Sequence, residues 1–150
     1  MDDDVKARAL RLLDQNRFMS IATLMPDGWP QATTVAYVNE GLTLYFLCGH
    51  DSQKAANIAR DDRVSLTIGK DPLKISAITG LSMAARARLV RDQAEATKAM
   101  AMLPAKFRDQ VTLPVAMHAP DDLRIFRVTP TLISLLDYAK GFGHADLLRL

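Results

Sequence analysis

The sequence has one cysteine, Cys48, so it can form no disulfide within the chain and no cluster of thiolate metal ligands. Its three histidines are scattered at positions that match no metal-ligand spacing, and we expect no bound metal. It also lacks a glycine-rich phosphate loop, a dinucleotide fingerprint, paired carboxylates and a serine-histidine-aspartate order. These absences argue against metalloenzymes, hydrolases and nucleotidases.

Charge and hydropathy exclude two further classes. The 19 Lys and Arg residues against 17 Asp and Glu give a net charge of +2, and they form no basic stripe, so we expect no nucleic-acid partner. No apolar run is long enough to span a bilayer, so we expect no membrane segment. The acidic start MDDDVKARAL lacks the basic and apolar regions of a secretory signal. A cytoplasmic protein is therefore expected.

What is present is the composition of an ordinary globular protein, with 49% hydrophobic and 24% charged residues. A chain of 150 residues is long enough to bury a sizeable core without covalent staples. We find no repeat, linker or low-complexity segment. Residues 1–150 are therefore expected to form one domain.

Hydrophobic periodicity predicts an N-terminal helix followed by antiparallel strands. The helix is indicated by apolar residues at helical spacing, which are Val5, Ala9, Leu12 and Leu13. In the segment 18–38, the turn sequence PDG at 26–28 joins two β-type runs and predicts a hairpin. The turn sequence NEG at 39–41 leads into the run LTLYFLC, so we expect three consecutive antiparallel strands.

The second half of the sequence predicts more strands and two more helices. A helix is expected at 52–60, a half-buried strand at 63–69, and a long strand after the turn KDPL with an irregularity at Gly80. The run QAEATKAMAML predicts a helix that ends before Pro104, and the tail predicts two strands divided at Thr129-Pro130. Six or seven strands with three helices predict a mainly β fold, a closed or nearly closed antiparallel barrel with flanking helices.

The stretch GHDSQKAANIARDDR is the best candidate for a binding site. Ser52, or Asp51 before it, can cap the helix that follows. The free N–H groups of the first turn can hold an anion, which Lys54 would complete, and a phosphate monoester fits. In the alternative interpretation Lys54 is a solvated helix residue and Asp51 an ordinary cap. Spacing alone favours that alternative.

The order of motifs gives the phosphate interpretation its weight. Six short motifs follow one another in the sequence: F-x-S-I-A-T, D-G-W-P, T-T-V-A-Y, L-Y-F-L-C, D-S-Q-K-A-A-N-I and D-D-R-V-S-L. In this order they resemble the flavin-binding split-barrel family that includes pyridoxamine 5'-phosphate oxidase. The resemblance covers roughly the whole chain in element order, and its specific part is 18–66. It implies a split barrel of the FMN-binding type that forms a homodimer with FMN between the subunits.

The resemblance also implies a set of cofactor residues: Thr33, Thr34, Val35, Cys48, Ser52, Gln53, Lys54 and Ser82. Residues 52–54 would lie at the phosphate, with Cys48 near it. Residues 33–35 would line the ribityl chain and ring, and Ser82 would approach the isoalloxazine edge. The catalytic residues are left unassigned.

The sequence departs from the oxidases of this family at three points. Thr33 stands where they place a phosphate-binding arginine, and Gln53 stands where they place a second basic residue. The basic, aromatic C-terminal segment of their substrate site is missing. We therefore expect weaker FMN binding, an activity other than pyridoxamine 5'-phosphate oxidation, and closer similarity to the short general-stress-protein-like members. The small-molecule substrate is unknown.

Three alternatives remain open on the same barrel. A deazaflavin shares the ribityl phosphate of FMN. Some relatives bind or degrade haem through a C-terminal histidine, and His144 in the ending YAKGFGHADL leaves that option open. A third alternative is a non-enzymatic flavin-binding protein or interaction module.

Overall fold

The computed structural model describes residues 2–108 and 122–150. The helices of this part are α1 (Asp2–Gln15), α2 (Gln53–Arg60) and α3 (Gln93–Lys106). Its strands are β1 (Phe18–Leu24), β2 (Pro30–Ala36), β3 (Val38–Glu40), β4 (Thr43–Gly49), β5 (Arg63–Gly69), β6 (Thr79–Leu89), β7 (Leu123–Asp137) and β8 (Ala145–Arg149). No helix within the described ranges is long and apolar enough to cross a membrane.

The strands form one antiparallel sheet in the order β2-β1-β5-β6-β7-β4-β3, with β8 paired to β7. β2 and β3 lie at opposite ends of this order, yet only Tyr37 separates them in the chain. The sheet must therefore curl until its two edges meet, which produces a nearly closed barrel with a split between β2 and β4. The predicted mainly β split barrel is confirmed, and residues 2–108 and 122–150 contain eight strands, including the short strands β3 and β8.

The barrel interior follows from alternation along the strands. Ile21, Leu66, Met83 and Ile133 are successive register partners across β1, β5, β6 and β7. Each is at most 2% exposed, while their chain neighbours face outward. α1 packs near one end of the barrel against β8, β5 and β6, and α2 packs against β1, β6 and β4 near the other.

Three boundaries differ from the sequence prediction. The long strand expected directly after the turn KDPL begins only at Thr79, because Ile75–Ala77 form a short 3-10 helix. β7 is continuous through Pro130, and the register shift opposite Ala84 and Ala85 accommodates this proline, which has no N–H to donate to a ladder. The prediction of two separate strands was wrong. α3 continues through Pro104 to Lys106, because a proline near the last turn removes only one helical hydrogen bond. The prediction that this helix ends before Pro104 was also wrong.

Tyr37 ties the split to the helices. It is fully buried, and its hydroxyl hydrogen-bonds the carbonyls of Leu13 and Asn16 at 2.8 and 2.9 Å. Lys106 Nζ donates to the Leu13 carbonyl at 3.1 Å and lies 3.7 Å from the centroid of the Tyr37 ring. These contacts supply donors to carbonyl oxygens at and just after the end of α1, which receive no hydrogen bond from an N–H within the helix. Burial lowers the pKa of Lys106 to about 8, and the charge of Asp14 opposes this shift.

We expect Lys106 to make the fold more stable as the pH rises from 8 towards 10. Within that range the folded state releases the lysine proton, whereas the unfolded chain, with a pKa of 10.5, retains it. Partial exposure limits the gain to about 1–2 kcal/mol. Above pH 10 the buried Tyr37 opposes this gain in stability. Its raised pKa keeps the hydroxyl protonated in the folded state, whereas the unfolded chain releases that proton.

Urea denaturation of the parent and of Lys106→Met at pH 8 and pH 9.5 measures this effect. The parent should gain free energy of unfolding relative to the variant over that interval. Parallel pH profiles for the two proteins would contradict the role assigned to Lys106.

Candidate functional site

The N-terminal end of α2 is built by the cap that the sequence predicts. Ser52 is the N-cap residue, and its Oγ accepts a hydrogen bond from the Ala55 N–H at 3.1 Å. Asp51 lies one residue before it and is exposed, so of the two predicted cap residues Ser52 is the one used. The N–H groups of Gln53 and Lys54 have no acceptor within the helix and are available to an anion.

Three of the predicted cofactor residues come together at this end. Cys48 is on the inward face of β4 and packs against the core. Burial raises the pKa of its thiol, while a hydrogen bond with Ser52 and the charges of Lys54 and Arg124 oppose the rise. Arg124 is the register partner of Cys48 on β7. Two cations and a helix N-terminus therefore surround one small region beside the Cys48 thiol.

Lys54 is the cation best placed to meet a ligand. It is half-buried, and its Nζ makes no hydrogen bond or ion pair within residues 2–108 and 122–150. Half-burial without a counter-ion is unfavourable for a lysine unless a ligand or solvent supplies one. Arg124 was not identified from the sequence, since no motif marks it and only the pairing of β7 with β4 brings it to the site.

Gln53 is held differently from its neighbours. Its side chain contacts the amide of Asn57 at 2.9 Å, one turn further along α2. Asn57 is fully buried and is hydrogen-bonded to the Thr23 hydroxyl on β1 at 3.0 Å. These bonds fix α2 to the barrel and hence orient its first turn. Asn57 gave no signal in the sequence, because a buried asparagine looks like any other polar helix residue.

The predicted residues on β2 point to two different faces. Thr33 and Val35 lie on the inward face, and Thr34 is exposed on the outward face, as strand alternation requires. The Thr33 hydroxyl oxygen is buried and is the one such side-chain atom without a hydrogen-bond partner in the described ranges. A buried hydroxyl without a partner costs free energy, and a polar ligand atom would satisfy it.

A cleft follows the split of the barrel. It has a volume of about 260 Å³ and lies between β2, β4 and α3. Thr34 and Val35 line it, together with Tyr45, Phe46 and Leu47. The aromatic and aliphatic lining suits a flat apolar ring, and the cleft contains two of the three residues predicted to contact one.

Ser82 belongs to the outward face of the sheet rather than to the helix end. In the sheet register it joins a row of hydroxyl side chains across five strands, formed by Thr34, Ser20, Thr67, Ser82 and Ser134. Three strand spacings of about 4.8 Å separate it from Thr34. Within one chain the structure therefore places Ser82 away from Thr34, the predicted cofactor residue on the same outward face.

His144 lies near the opposite end of the barrel. Its Nε2 is 3.1 Å from an Oδ of Asp146, which also accepts from Lys140 and Arg8 at 3.2 Å each. Asp146 pairs with Leu135 on β7, eleven residues from Arg124, which is about 35 Å along a strand. Within one chain, His144 and Lys54 therefore cannot contact the same small cofactor.

Comparisons with known proteins agree with this architecture. A family model described as pyridoxamine 5'-phosphate oxidase matches residues 5–137. No curated protein gives a significant match. A conserved hypothetical protein from Mycobacterium tuberculosis is similar in structure, with a TM-score of 0.77 and 22% identity over 94% of this chain and 90% of its own.

Two further solved structures have the same fold. A Clostridium acetobutylicum protein related to general stress protein 26 of Bacillus subtilis has a TM-score of 0.75 and 11% identity, covering 100% of this chain and 97% of its own. HutZ, the haem storage protein of Vibrio cholerae, has a TM-score of 0.69 and 19% identity, covering 83% and 89%. At these identities the likeness establishes the fold alone.

Proposed function

Because the chain belongs to the pyridoxamine 5'-phosphate oxidase family, we propose that it binds FMN as a homodimer and acts as an oxidoreductase on a small substrate. The observation that carries the proposal is the N-terminal end of α2, where Ser52, Lys54 and Cys48 converge. A flavin enzyme needs few catalytic side chains, so the absence of a catalytic motif is compatible with this activity.

The phosphate would be held by the first turn of α2. Ser52 caps the Ala55 N–H, which leaves the two preceding N–H groups for phosphate oxygens. Lys54 would add a positive charge without having to break an existing ion pair. A phosphate of about −1.5 to −2 charge meets few cations here, and this agrees with the expected weak binding.

The rest of the cofactor would follow the split between β2 and β4. The Thr33 hydroxyl would gain a hydrogen-bond partner, and the cleft lined by Thr34 and Val35 would receive the ring. Tyr45 and Phe46 would exclude water from one side of it. When bound, FMN supplies the redox chemistry through its isoalloxazine ring, while the protein binds and orients it. A deazaflavin with the same ribityl phosphate would use the same contacts.

The outward face of the sheet supports a homodimer. Many exposed positions in the middle of β1, β2, β5 and β6 carry small or hydroxylic side chains, whereas Arg63, Arg86 and Arg88 lie towards one end of this face. The small positions include Ser20, Ala32, Thr34, Ser65, Thr67 and Ala84. Such a surface lets a second sheet approach closely. A partner packed there would also bring its own groups close to Thr34 and Ser82, which lie three strand spacings apart within one subunit.

We propose a reaction other than pyridoxamine 5'-phosphate oxidation. Thr33 and Gln53 occupy positions at which the oxidases carry basic residues, and the side chain of Gln53 already contacts Asn57. A cytoplasmic location suits a chain whose single cysteine is a half-buried free thiol.

The test is an absorbance spectrum of the purified protein, before and after addition of FMN and removal of the excess, together with its mass in solution. We expect flavin bands that remain with the protein, and a mass twice the 16.6 kDa of one chain. Ala84→Arg on the outward face should yield monomers, whereas Ala101→Arg on exposed α3 should not. A protein that takes up no FMN at any workable concentration would contradict the proposal.

Haem is the second candidate ligand, because the similar structure HutZ is a haem storage protein and this chain carries a partly exposed histidine near its end. His144 would have to exchange its contact with Asp146 for iron. A Soret band that disappears in His144→Ala would support haem, and an unchanged spectrum in that variant would remove it. Bound flavin that no nicotinamide or deazaflavin donor reduces would indicate a non-enzymatic flavin carrier.

A further inference from the structure

A second cavity lies between α2 and the ends of β6 and β7. Its volume is about 650 Å³, larger than the cleft in the split. The cavity contains none of the predicted cofactor residues except Ser52 at its edge. It borders the proposed phosphate site through Ser52 and Arg124, but Arg88, Arg91, Arg127 and the apolar floor lie outside that site.

The floor of this cavity is apolar and rigid. Ala55 and Ile58 of α2, Ala87 of β6 and Phe126 of β7 all line it, and each is at most 8% exposed. Phe126 is held in place by stacking on Phe46, with ring centroids 5.4 Å apart. A preformed apolar floor of this kind suits the hydrocarbon part of a small molecule.

The walls of the cavity carry an excess of positive charge. The titratable lining groups are Arg88, Arg91, Arg124, Arg127, His50, Asp51 and Asp62. Two arginines are already paired, since Arg88 contacts Asp62 at 3.3 Å and Arg127 contacts Glu95 at 2.7 Å. Arg91 has no hydrogen-bond or ion-pair partner in the part of the chain that the structure describes. Its guanidinium is available for an added anion.

We infer that this cavity binds a small organic anion, with its carboxylate or phosphate against the arginines and its apolar body on the floor formed by Ala87 and Phe126. Guanidinium groups bind both kinds of anion through paired N–H donors, and a half-enclosed site strengthens that attraction. The apolar floor selects against inorganic ions, which would leave it exposed to water. The inference does not depend on the flavin, because the cavity is present in the chain alone.

The experiment is a calorimetric titration with two probes, benzoate and phenyl phosphate, and with benzamide as the neutral analogue of benzoate. It is done on protein without flavin and on protein saturated with FMN. We expect at least one anion to bind and benzamide to bind about tenfold more weakly or worse. Arg91→Gln and Arg88→Gln should each weaken the anion by about threefold to tenfold. The matched control is Arg17→Gln, which replaces an exposed arginine directly before β1. This variant should bind the anion as the parent does.

The outcomes separate this inference from the flavin proposal. FMN binding is read from its own absorbance, so a protein that fails to take up FMN can still bind benzoate or phenyl phosphate. Anion binding that persists at saturating FMN and is weakened by Arg91→Gln supports a separate site. Binding of neither anion, binding that the arginine variants leave unchanged, or loss of binding at saturating FMN would each overturn it.

Discussion

Replacing Lys54 by alanine should weaken FMN binding by about 1.5–3 kcal/mol, the range for a hydrogen bond to a charged group, which is about ten- to 150-fold in affinity. Lys54 is the half-buried cation at the capped end of α2, and it forms no ion pair with any described residue. The variant removes charge from the phosphate while leaving the Ser52 cap and the buried Asn57 contact in place. Fluorescence titration of FMN measures the change.

Two further variants show whether the effect belongs to the charge at this position. Lys54→Arg keeps the charge and should retain most of the affinity. Lys70→Ala removes an exposed lysine just after β5, far from α2, and should bind FMN as the parent does. Because the salt dependence of binding reports ion contacts, it should be shallower in Lys54→Ala than in Lys70→Ala. Equal FMN affinity in Lys54→Ala and the parent would mean that Lys54 is only a solvated helix residue.

Local signals in the sequence were sufficient for most elements of the fold. Alternation in β5 and the turn residues between β1 and β2 identify strands directly, because burial on one face imposes a period of two. The capped helix α2 was also predictable, and Ser52 has the predicted role. Each of these features depends on residues within a few positions of one another.

The parts of the structure that were missed depend on distant partners. From the local sequence, Pro130 is expected to end a strand because it cannot donate a hydrogen bond to the sheet. In the structure, a register shift opposite Ala84 and Ala85 lets β7 continue through it. Alternation along a predicted strand puts Thr33 and Thr34 on opposite faces, but the sequence could not tell which of them faces the barrel interior, since both carry a small hydroxyl side chain. Arg124 reaches Cys48 only through the pairing of two strands far apart in the chain.

At Gly80 too, the neighbouring strand determines which residue the position can hold. The sequence predicts an irregularity there, but β6 and β5 stay in register at that point, with Gly80 opposite Gly69. The prediction of an irregularity at Gly80 was wrong. A glycine is needed at this position for a different reason. A Cβ on Gly80 would lie 2.7 Å from the backbone carbonyl oxygen of Ile68, closer than real contacts allow. The glycine therefore permits close approach of two backbones.

Gly80→Ala should destabilise the fold by about 1–3 kcal/mol, because a backbone carbonyl in a central ladder cannot move aside as a side chain can. For a domain of this size that loss lowers Tm by about 2–10 °C. Gly49→Ala is the matched control, since its added Cβ would meet only the Asp51 carboxylate at 3.1 Å, which can rotate away. Thermal unfolding of both variants measures the difference, and an unchanged Tm for Gly80→Ala would mean that β5 and β6 separate at little cost. Such freedom between β5 and β6 would also weaken the case for the outward face as a dimer surface, because that face depends on Ser65 and Ala84 being held side by side.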